Sequence, residues 1–554
     1  MCRVDEMLSK KKKAFAALVT IGIFLIFFQM LFFDRPLLKI YGQVKPSETL
    51  DPNSPYYGNI YQDRYGQPVR NASIYTNETY YTDWKQHFPE IILSMEKYKL
   101  QNPTHNPKAF TKSTSTVSLE NSKANFKVGD TLVAHIQAKD GFNQDKTFGG
   151  DYFRARLICR SPNGTVTDGI ACKIEDHLNG SYTLRVPLLM AGTFTLEVKL
   201  VIPVEGIDWF MNFTSMHNNK GLIYTATLQT KEEVECNIDL NTYKGYEDKL
   251  MCDYGNPRDG EPWFCLLPPS GKCSPITYLV CRESHRQRFP KVSDGIVQIE
   301  GSGRQITVSK ETFNYDAAKM PAPSVYLHQG YWMKTLNSKL VTFREDFRKC
   351  LENTNVYMFG DSTMRQFFLE LARIFSLAIS GPDSTHVWQQ PKIAQSKDTS
   401  SNISFYYRGH GPPFRNPGPP SSRPYITDSI DNIKVESGRQ VYVIFTIGLH
   451  PLFYEPSLYI RRLSVIKKVI IRHHKLFPNT IFVVKGMNVV EWNEEWLILR
   501  YEVLLRDAFK NMPNVFYLNL WDMTVVAPLY QNYHPIQEVL APQVLLLLDL
   551  MCKA

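Results

Sequence analysis

Hydrophobic and polar positions change rhythm several times along this 554-residue chain, and each change marks a different kind of structure. Residues 14–33, AFAALVTIGIFLIFFQMLFF, form an unbroken apolar run without a charge. At about 1.5 Å per residue, a helix of that length crosses a hydrocarbon core of about 30 Å. Residues 34–110 are rich in Tyr, Asn and Pro with little apolar periodicity, the pattern of a stem with poor internal packing. From 111 to 230 come short alternating segments, DTLVAHIQAKD (130–140), FRARLICRS (153–161), GSYTLRVPL (180–188) and GTFTLEVKLVI (192–202), punctuated by Gly, Asn and Pro. Period-two alternation between turn residues predicts half-buried antiparallel strands, and their number and spacing predict an immunoglobulin-like β-sandwich. With a cysteine-rich end, this domain is expected to run from 111 to 285, and 286–340 reads as a linker.

The stretch 341–554 behaves differently. Apolar, β-branched runs NVYMFG (355–360), QVYVIFTIG (440–448), TIFVVKG (480–486) and NVFYLNLWD (514–522) are separated by helical patterns. In 457–477 apolar residues recur at Leu458, Ile460, Leu463, Ile466, Val469, Ile470 and Leu476, and in 494–511 at Trp496, Leu497, Tyr501, Leu504, Leu505 and Phe509. A further apolar helix follows Pro535. Strands alternating with helices predict an α/β domain with a parallel sheet covered on both faces, its functional groups gathered at the carboxyl ends of the strands. The insertion 380–438 is long for a connection and reads as a binding loop or lid, with Trp388, Tyr406 and Tyr407 available to stack on a sugar.

Charge and cysteine usage place these pieces in a compartment. The formal charge of +9 is spread along the chain except for Lys10 to Lys13, so no basic stripe for nucleic acid exists. Those lysines precede the apolar run and no small-residue cleavage motif follows it. The expectation is a type II signal-anchor at 14–33, a cytosolic tail at 1–13 and a luminal bulk in the Golgi or secretory pathway, the alternative being secretion after signal cleavage. Six N-x-S/T sequons, at Asn71, Asn77, Asn163, Asn179, Asn212 and Asn402, all lie on the luminal side. Nine of ten cysteines do too, and Cys236, Cys252, Cys265, Cys273 and Cys281 cluster as in a disulfide-stapled module. Cys159 and Cys172 could bridge the sandwich, and an odd count leaves one thiol over. Zinc is the second reading of the cluster, but paired C-x-x-C spacings are absent and His285 reads as a surface residue, so no metal is expected.

The strand ends carry the chemistry. Gly360-Asp361-Ser362 follows the first of these runs, and Met364, Phe367, Phe368, Leu371 and Phe375 then recur on one helix face. Ser362 therefore opens a helix, where unpaired N–H groups and the dipole favour a developing oxyanion. The alternative is that it merely caps the helix. The second run ends at TIGLHP with Gly448 and His450, the fourth at LWDMT with Asp522, and QNYHP puts His534 just ahead of the last helix. A serine hydroxyl needs a base, and an imidazole with a pKa near 6.5 can be one.

FGDSTMRQ, TIGLHP, WDMT and YHP together resemble the PC-esterase domain of the neurexophilin and PC-esterase domain family, a branch of the GDSL/SGNH serine-hydrolase superfamily. GGDYFRARL, NGSYTL and LVIPVEG resemble the neurexophilin-like, immunoglobulin-type half of that family. The resemblance spans roughly residues 60–554. It implies an SGNH-like domain at 341–554 related to enzymes that add or remove acetyl esters on glycans. Carried over, Ser362 is the nucleophile, His534 the base, and the Ser362 and Gly448 backbone N–H groups are oxyanion donors. His450 stands where many members have an oxyanion-supporting asparagine. Where the superfamily has D-x-x-H, this chain has Gln531, which leaves Asp522, Asn532 or a backbone carbonyl to orient His534. Arg365 could hold a substrate carboxylate such as that of a sialic acid.

Two functions are therefore expected to compete. One is a membrane-anchored O-acyltransferase or acyl esterase that modifies a glycan or glycoprotein through acyl-Ser362, with acetyl-CoA as the expected donor and no bound cofactor. The other is a surface or secreted binding protein that meets a protein partner through the sandwich, its α/β domain catalytically silent.

Overall fold

The computed structural model describes residues 67–69, 114–120, 125–207, 223–238, 249–255, 263–282, 296–310, 325–334, 344–381, 391–396, 402–411, 417–420, 423–448, 450–453, 456–490, 495–527 and 534–553. The apolar run 14–33 and most of the stem lie outside them, as do Asn71, Asn77, Asn212, His285, Trp388, Gln531 and Asn532. Among the described residues no helix is long and apolar enough to cross a membrane.

The C-terminal half is a seven-stranded sheet with helices on both faces. Its strands are β1 (Thr354–Gly360), β2 (Ala378–Ser380), β3 (Lys392–Gln395), β4 (Ser404–Gly409), β5 (Gln440–Phe445), β6 (Ile481–Lys485) and β7 (Val515–Leu518), in the order β2-β3-β4-β1-β5-β6-β7. The five from β4 to β7 along that order are parallel, and β2 and β3 add an antiparallel edge. The helices are α1 (Arg344–Cys350), α2 (Ser362–Phe375), α3 (Ile426–Asp431), α4 (Pro456–Leu476), α5 (Glu495–Ala508), α6 (Trp521–Val526) and α7 (Gln537–Met551).

Alternation explains both faces. Val356 and Met358 of β1, Ile444 of β5 and Val483 of β6 pack with Met364, Phe367 and Phe368 of α2 and with Val544 and Leu547 of α7. The intervening Tyr357, Phe359, Val443, Phe445, Phe482 and Val484 pack with Ile460, Leu463 and Ile470 of α4 and with Trp496, Tyr501 and Leu505 of α5. Every residue of β1 is buried, as a central parallel strand requires. A Cys350–Cys552 disulfide ties α1 to the end of α7 across 202 residues.

In the N-terminal half two largely antiparallel sheets share one core. A four-stranded sheet contains Thr131–Gln137 and Ser181–Pro187, and an eight-stranded one contains Tyr152–Arg160 and Gly192–Ile202. Leu132, Ala134, Leu184 and Val186 from the first meet Phe153, Ala155, Leu157, Leu196 and Val198 from the second. The described parts of the stretch read as a linker instead belong to this sheet. Arg304–Ser309 pairs with Gly192–Ile202, and Val325–His328 pairs with Val166–Ala171. Its alternation, RQITVS with Ile306 and Val308 buried, is that of a strand with one face on the core and one in solvent. A third sheet holds the cysteine cluster and takes in Gln67–Val69 from the predicted stem. It is stapled by Cys236–Cys265 and Cys252–Cys273. Cys159 and Cys172 are free thiols, so no disulfide joins these two across the sandwich and the expectation of a single spare thiol is corrected.

Polar contacts join the halves where strand Tyr152–Arg160 meets the α/β domain. Arg154 pairs with Glu495, which also accepts from the Tyr152 hydroxyl at 2.8 Å, and Glu495 is fully buried. The Arg156 guanidinium donates to the carbonyls of Val525, Val526 and Ala527 at 3.1–3.3 Å, covering the C-terminus of α6 with a cation, where the helix dipole favours one.

Candidate active site

The carboxyl ends of β1, β4, β5 and β6 converge on one turn. Asp361 caps α2, its carboxylate accepting from the Thr363 N–H at 2.8 Å and the Thr363 hydroxyl at 2.7 Å. Ser362 is then the first residue of the helix, half-buried and at the positive end of the dipole. His534 Nε2 lies 2.7 Å from Ser362 Oγ. That is hydrogen-bond distance between a nucleophile and a base separated by 172 residues in the chain.

The segment carrying His534 is tied to α2 on its far side. Gln366 donates to the Pro535 carbonyl at 3.2 Å, and Gln537 donates to Glu370 at 2.9 Å. Both partners sit on α2 one and two turns beyond Ser362, so the helix that presents the hydroxyl also sets the imidazole. Burial lowers the His534 pKa, with Arg365 adding to the effect and Asp361 opposing it. A lowered pKa leaves the ring neutral, as a base must be.

Around Asp361 is a buried polar cluster. Lys485, at the end of β6, donates to the Thr363 hydroxyl at 3.1 Å and to the Gly486 carbonyl at 3.2 Å. Burial raises the Asp361 pKa, but Lys485, His450, the Thr363 bonds and His410 outweigh it and bring it down to about 2. Asp361 is therefore a fixed negative charge, too far inside to act as an exposed acid. Gly448, after β5, has φ +66° and approaches Asp361 so closely that a Cβ there would fall 1.9 Å from Oδ2. Only glycine satisfies both conditions.

His450 opens a 3₁₀ turn after β5, and its Nδ1 lies 2.9 Å from His410 Nε2. Sequence reasoning missed His410 and Lys485. A lysine closing an apolar strand reads as solvent-facing, and a histidine between glycines reads as loop. The only signal was position, since each ends a run that proved to be a parallel strand.

The structure thus brings Ser362, His534, Gly448 and His450 to the same sheet edge. Arg365 sits in the first turn of α2, partly buried, its N–H bonded to the Asp361 carbonyl at 3.1 Å. Asp522 stands in the first turn of α6, accepting from Asn519 at 3.3 Å. It lines a cleft of about 550 Å³ at the seam of the two halves, whose lining includes Arg185, Trp496, Arg500 and Trp521 but neither Ser362 nor His534. Tyr407 is buried, its hydroxyl donating to the Asp361 carbonyl at 3.3 Å, and Tyr406 stacks on Tyr357. These two rings are part of the core of the sheet and not a sugar platform, because the described parts of 380–438 supply β3, β4 and α3. Asn163, Asn179 and Asn402 are exposed. Among the described residues no group of three or more His, Cys, Asp or Glu side chains is arranged to hold a metal.

The fold and site define an α/β protein with a serine–histidine pair at the carboxyl edge of its parallel sheet. Residues 332–552 match the family model for the NXPE family member 4-like C-terminal domain, and residues 93–284 match the neurexophilin family model.

Proposed function

We propose that this protein is a glycan-modifying O-acyltransferase or acyl esterase whose α/β domain, SGNH-like and of PC-esterase type, works through an acyl-Ser362 intermediate. The 2.7 Å contact between His534 Nε2 and Ser362 Oγ carries the reading. His534 takes the Ser362 proton as Oγ attacks the acyl carbonyl carbon. The carbonyl oxygen becomes an oxyanion at the start of α2, where the Ser362 and Gly448 N–H groups and His450 are its donors. Collapse expels the donor's leaving group, which regains a proton from His534. A sugar hydroxyl then attacks acyl-Ser362 in the transferase, or water does in the esterase, with His534 again receiving the proton.

The similarity to the NXPE family domain supports an acyl-transfer relation, and the sequons, disulfides and apolar run at 14–33 support a type II Golgi membrane protein acting on luminal glycans. Acetyl-CoA is the donor we favour, and a sialic acid whose carboxylate meets Arg365 the acceptor. The sandwich, read as immunoglobulin-type, serves to hold a protein or glycoprotein partner. One observation favours a second reading, a catalytically silent binding protein: Gln531 replaces the acid expected three residues before His534.

The test is to incubate the full chain with acetyl-labelled acetyl-CoA, and separately with an O-acetylated sialoglycan, and to map the Ser362 peptide by mass spectrometry. An acetyl group on Ser362 that disappears on adding a sugar acceptor or on standing in water supports the enzyme. A folded protein whose Ser362 stays unmodified with both donors favours the binding protein.

A further inference from the structure

Two histidines at the carboxyl edge of the sheet form a chain whose protons are assigned from one end. The His410 backbone N–H donates to the Gly360 carbonyl at 3.0 Å, which fixes the residue against the end of β1. Its Nδ1 lies 2.7 Å from the Gly411 carbonyl oxygen and its Nε2 lies 2.9 Å from His450 Nδ1. A carbonyl oxygen can only accept, so His410 Nδ1 carries a proton. The ring is 3% exposed, and burial holds its pKa down to about 4. At neutral pH its Nε2 is therefore a lone pair, and the group available to donate to it is the His450 Nδ1–H. With that proton on Nδ1, His450 Nε2 is a lone pair when the ring is neutral and an N–H only when the ring is charged.

We propose that His410 is a positioning residue that locks the tautomer of His450, so that His450 donates from Nε2 only as an imidazolium. The proposal rests on the serine chemistry proposed above, in which an oxyanion forms beside Gly448 and His450. An amide side chain at that place would donate while neutral; the locked imidazole must first take up a proton. Charged groups of both signs surround the pair. Asp361 at the end of β1 is a buried carboxylate that interacts directly with His450. Lys485 of β6 divides its charge between Asp361 and Glu502 of α5. Arg462 of α4 and Arg423, ahead of α3, act on His410 and help to keep it neutral. His410 is thus kept neutral, and any charge on the pair falls to His450. The consequence is a falling limb in the pH profile of Ser362 reactivity, distinct from the rising limb set by His534.

The experiment combines two measurements on the full chain. Reactivity is the rate of Ser362 labelling by a fluorophosphonate across pH, and each ring's titration is read by deuterium exchange at its C2 carbon with mass spectrometry. We expect His410 to protonate at a lower pH than His450, and labelling to fall about tenfold per pH unit above the His450 midpoint. His410→Gln keeps a donor for Gly411 and an acceptor for His450, so it retains that limb. His410→Phe removes the acceptor, frees the Nε2–H tautomer and flattens the limb to less than about twofold per unit. His450→Asn abolishes the limb, and adding His410→Phe in that background changes the profile no further. If His410 protonates at or above the His450 midpoint, the bond runs the other way and the lock is overturned, a result that needs no variant to fold. Parallel falling limbs in wild type and His410→Phe overturn it as well. A folded wild type that is never labelled overturns the serine chemistry and His450's part in it together, and the histidine titrations tell that failure apart from the other two.

Discussion

Replacing Gly448 by alanine attacks the site through its backbone. An L-residue at φ +66° costs about 1–2 kcal/mol on conformation alone. The new Cβ would also sit 1.9 Å from Asp361 Oδ2 and 2.6 Å from its Cγ. The carboxylate cannot simply step aside, because it is buried and caps α2 through the Thr363 N–H at 2.8 Å. Losing the cap costs about 1 kcal/mol, and forcing atoms into packed space about 1–3 kcal/mol more. The total is about 3–6 kcal/mol, which for a domain of this size lowers the melting temperature by on the order of 10 °C. Gly438 supplies the control: its φ is +78°, but nothing lies within 4 Å of an added Cβ. Gly438→Ala should therefore carry only the conformational cost and lose a few degrees. Calorimetric melting of the full chain with each substitution decides the matter. Should Gly448→Ala melt within a degree or two of Gly438→Ala, the close approach to Asp361 is not real and the oxyanion geometry built on it falls.

Other consequences are equally direct. Glu495→Ala leaves Arg154 buried without its carboxylate, so the melt should reflect a loss of about 3–5 kcal/mol; Glu495→Gln, which keeps an acceptor, should lose less. Breaking Cys350–Cys552 by Cys552→Ser removes a closure of 202 residues, worth on the order of 5 kcal/mol in the chain-entropy picture; once reduction opens Cys236–Cys265 and Cys252–Cys273 as well, wild type and variant should melt together. Because burial lowers the His534 pKa, the rising limb of Ser362 labelling should have its midpoint below the ordinary 6.5; a midpoint above that value would contradict the buried, neutral base.

How much of this was legible in the sequence differs between the halves. The rhythm of apolar runs predicted four parallel strands, and they lie at Thr354–Gly360, Gln440–Phe445, Ile481–Lys485 and Val515–Leu518. The helical periodicities predicted at 457–477 and 494–511 lie at Pro456–Leu476 and Glu495–Ala508. Both succeed because burial on two faces leaves a long, one-sided signal. The strands within 380–438 escaped because they are short and set among Pro and Gly, and so did the short strands within 286–340. Ser362 and His534 could be paired from topology alone. Lys485 and His410 could not, since what makes each of them matter is a partner contributed by a distant strand, Asp361 and His450 respectively. Gly448 was legible as a strand end, but its contact with Asp361 was not.

The central claim is that Ser362 is an activated nucleophile, and fluorophosphonate labelling of the folded full chain tests it most directly. The account predicts that wild type is labelled at Ser362, that Ser362→Ala is not labelled, and that His534→Ala loses at least about a hundredfold in rate, the usual contribution of a positioned base. Labelling that is absent from a folded wild type, or that is unchanged by His534→Ala, would contradict it and leave Ser362 as the first residue of a helix and no more.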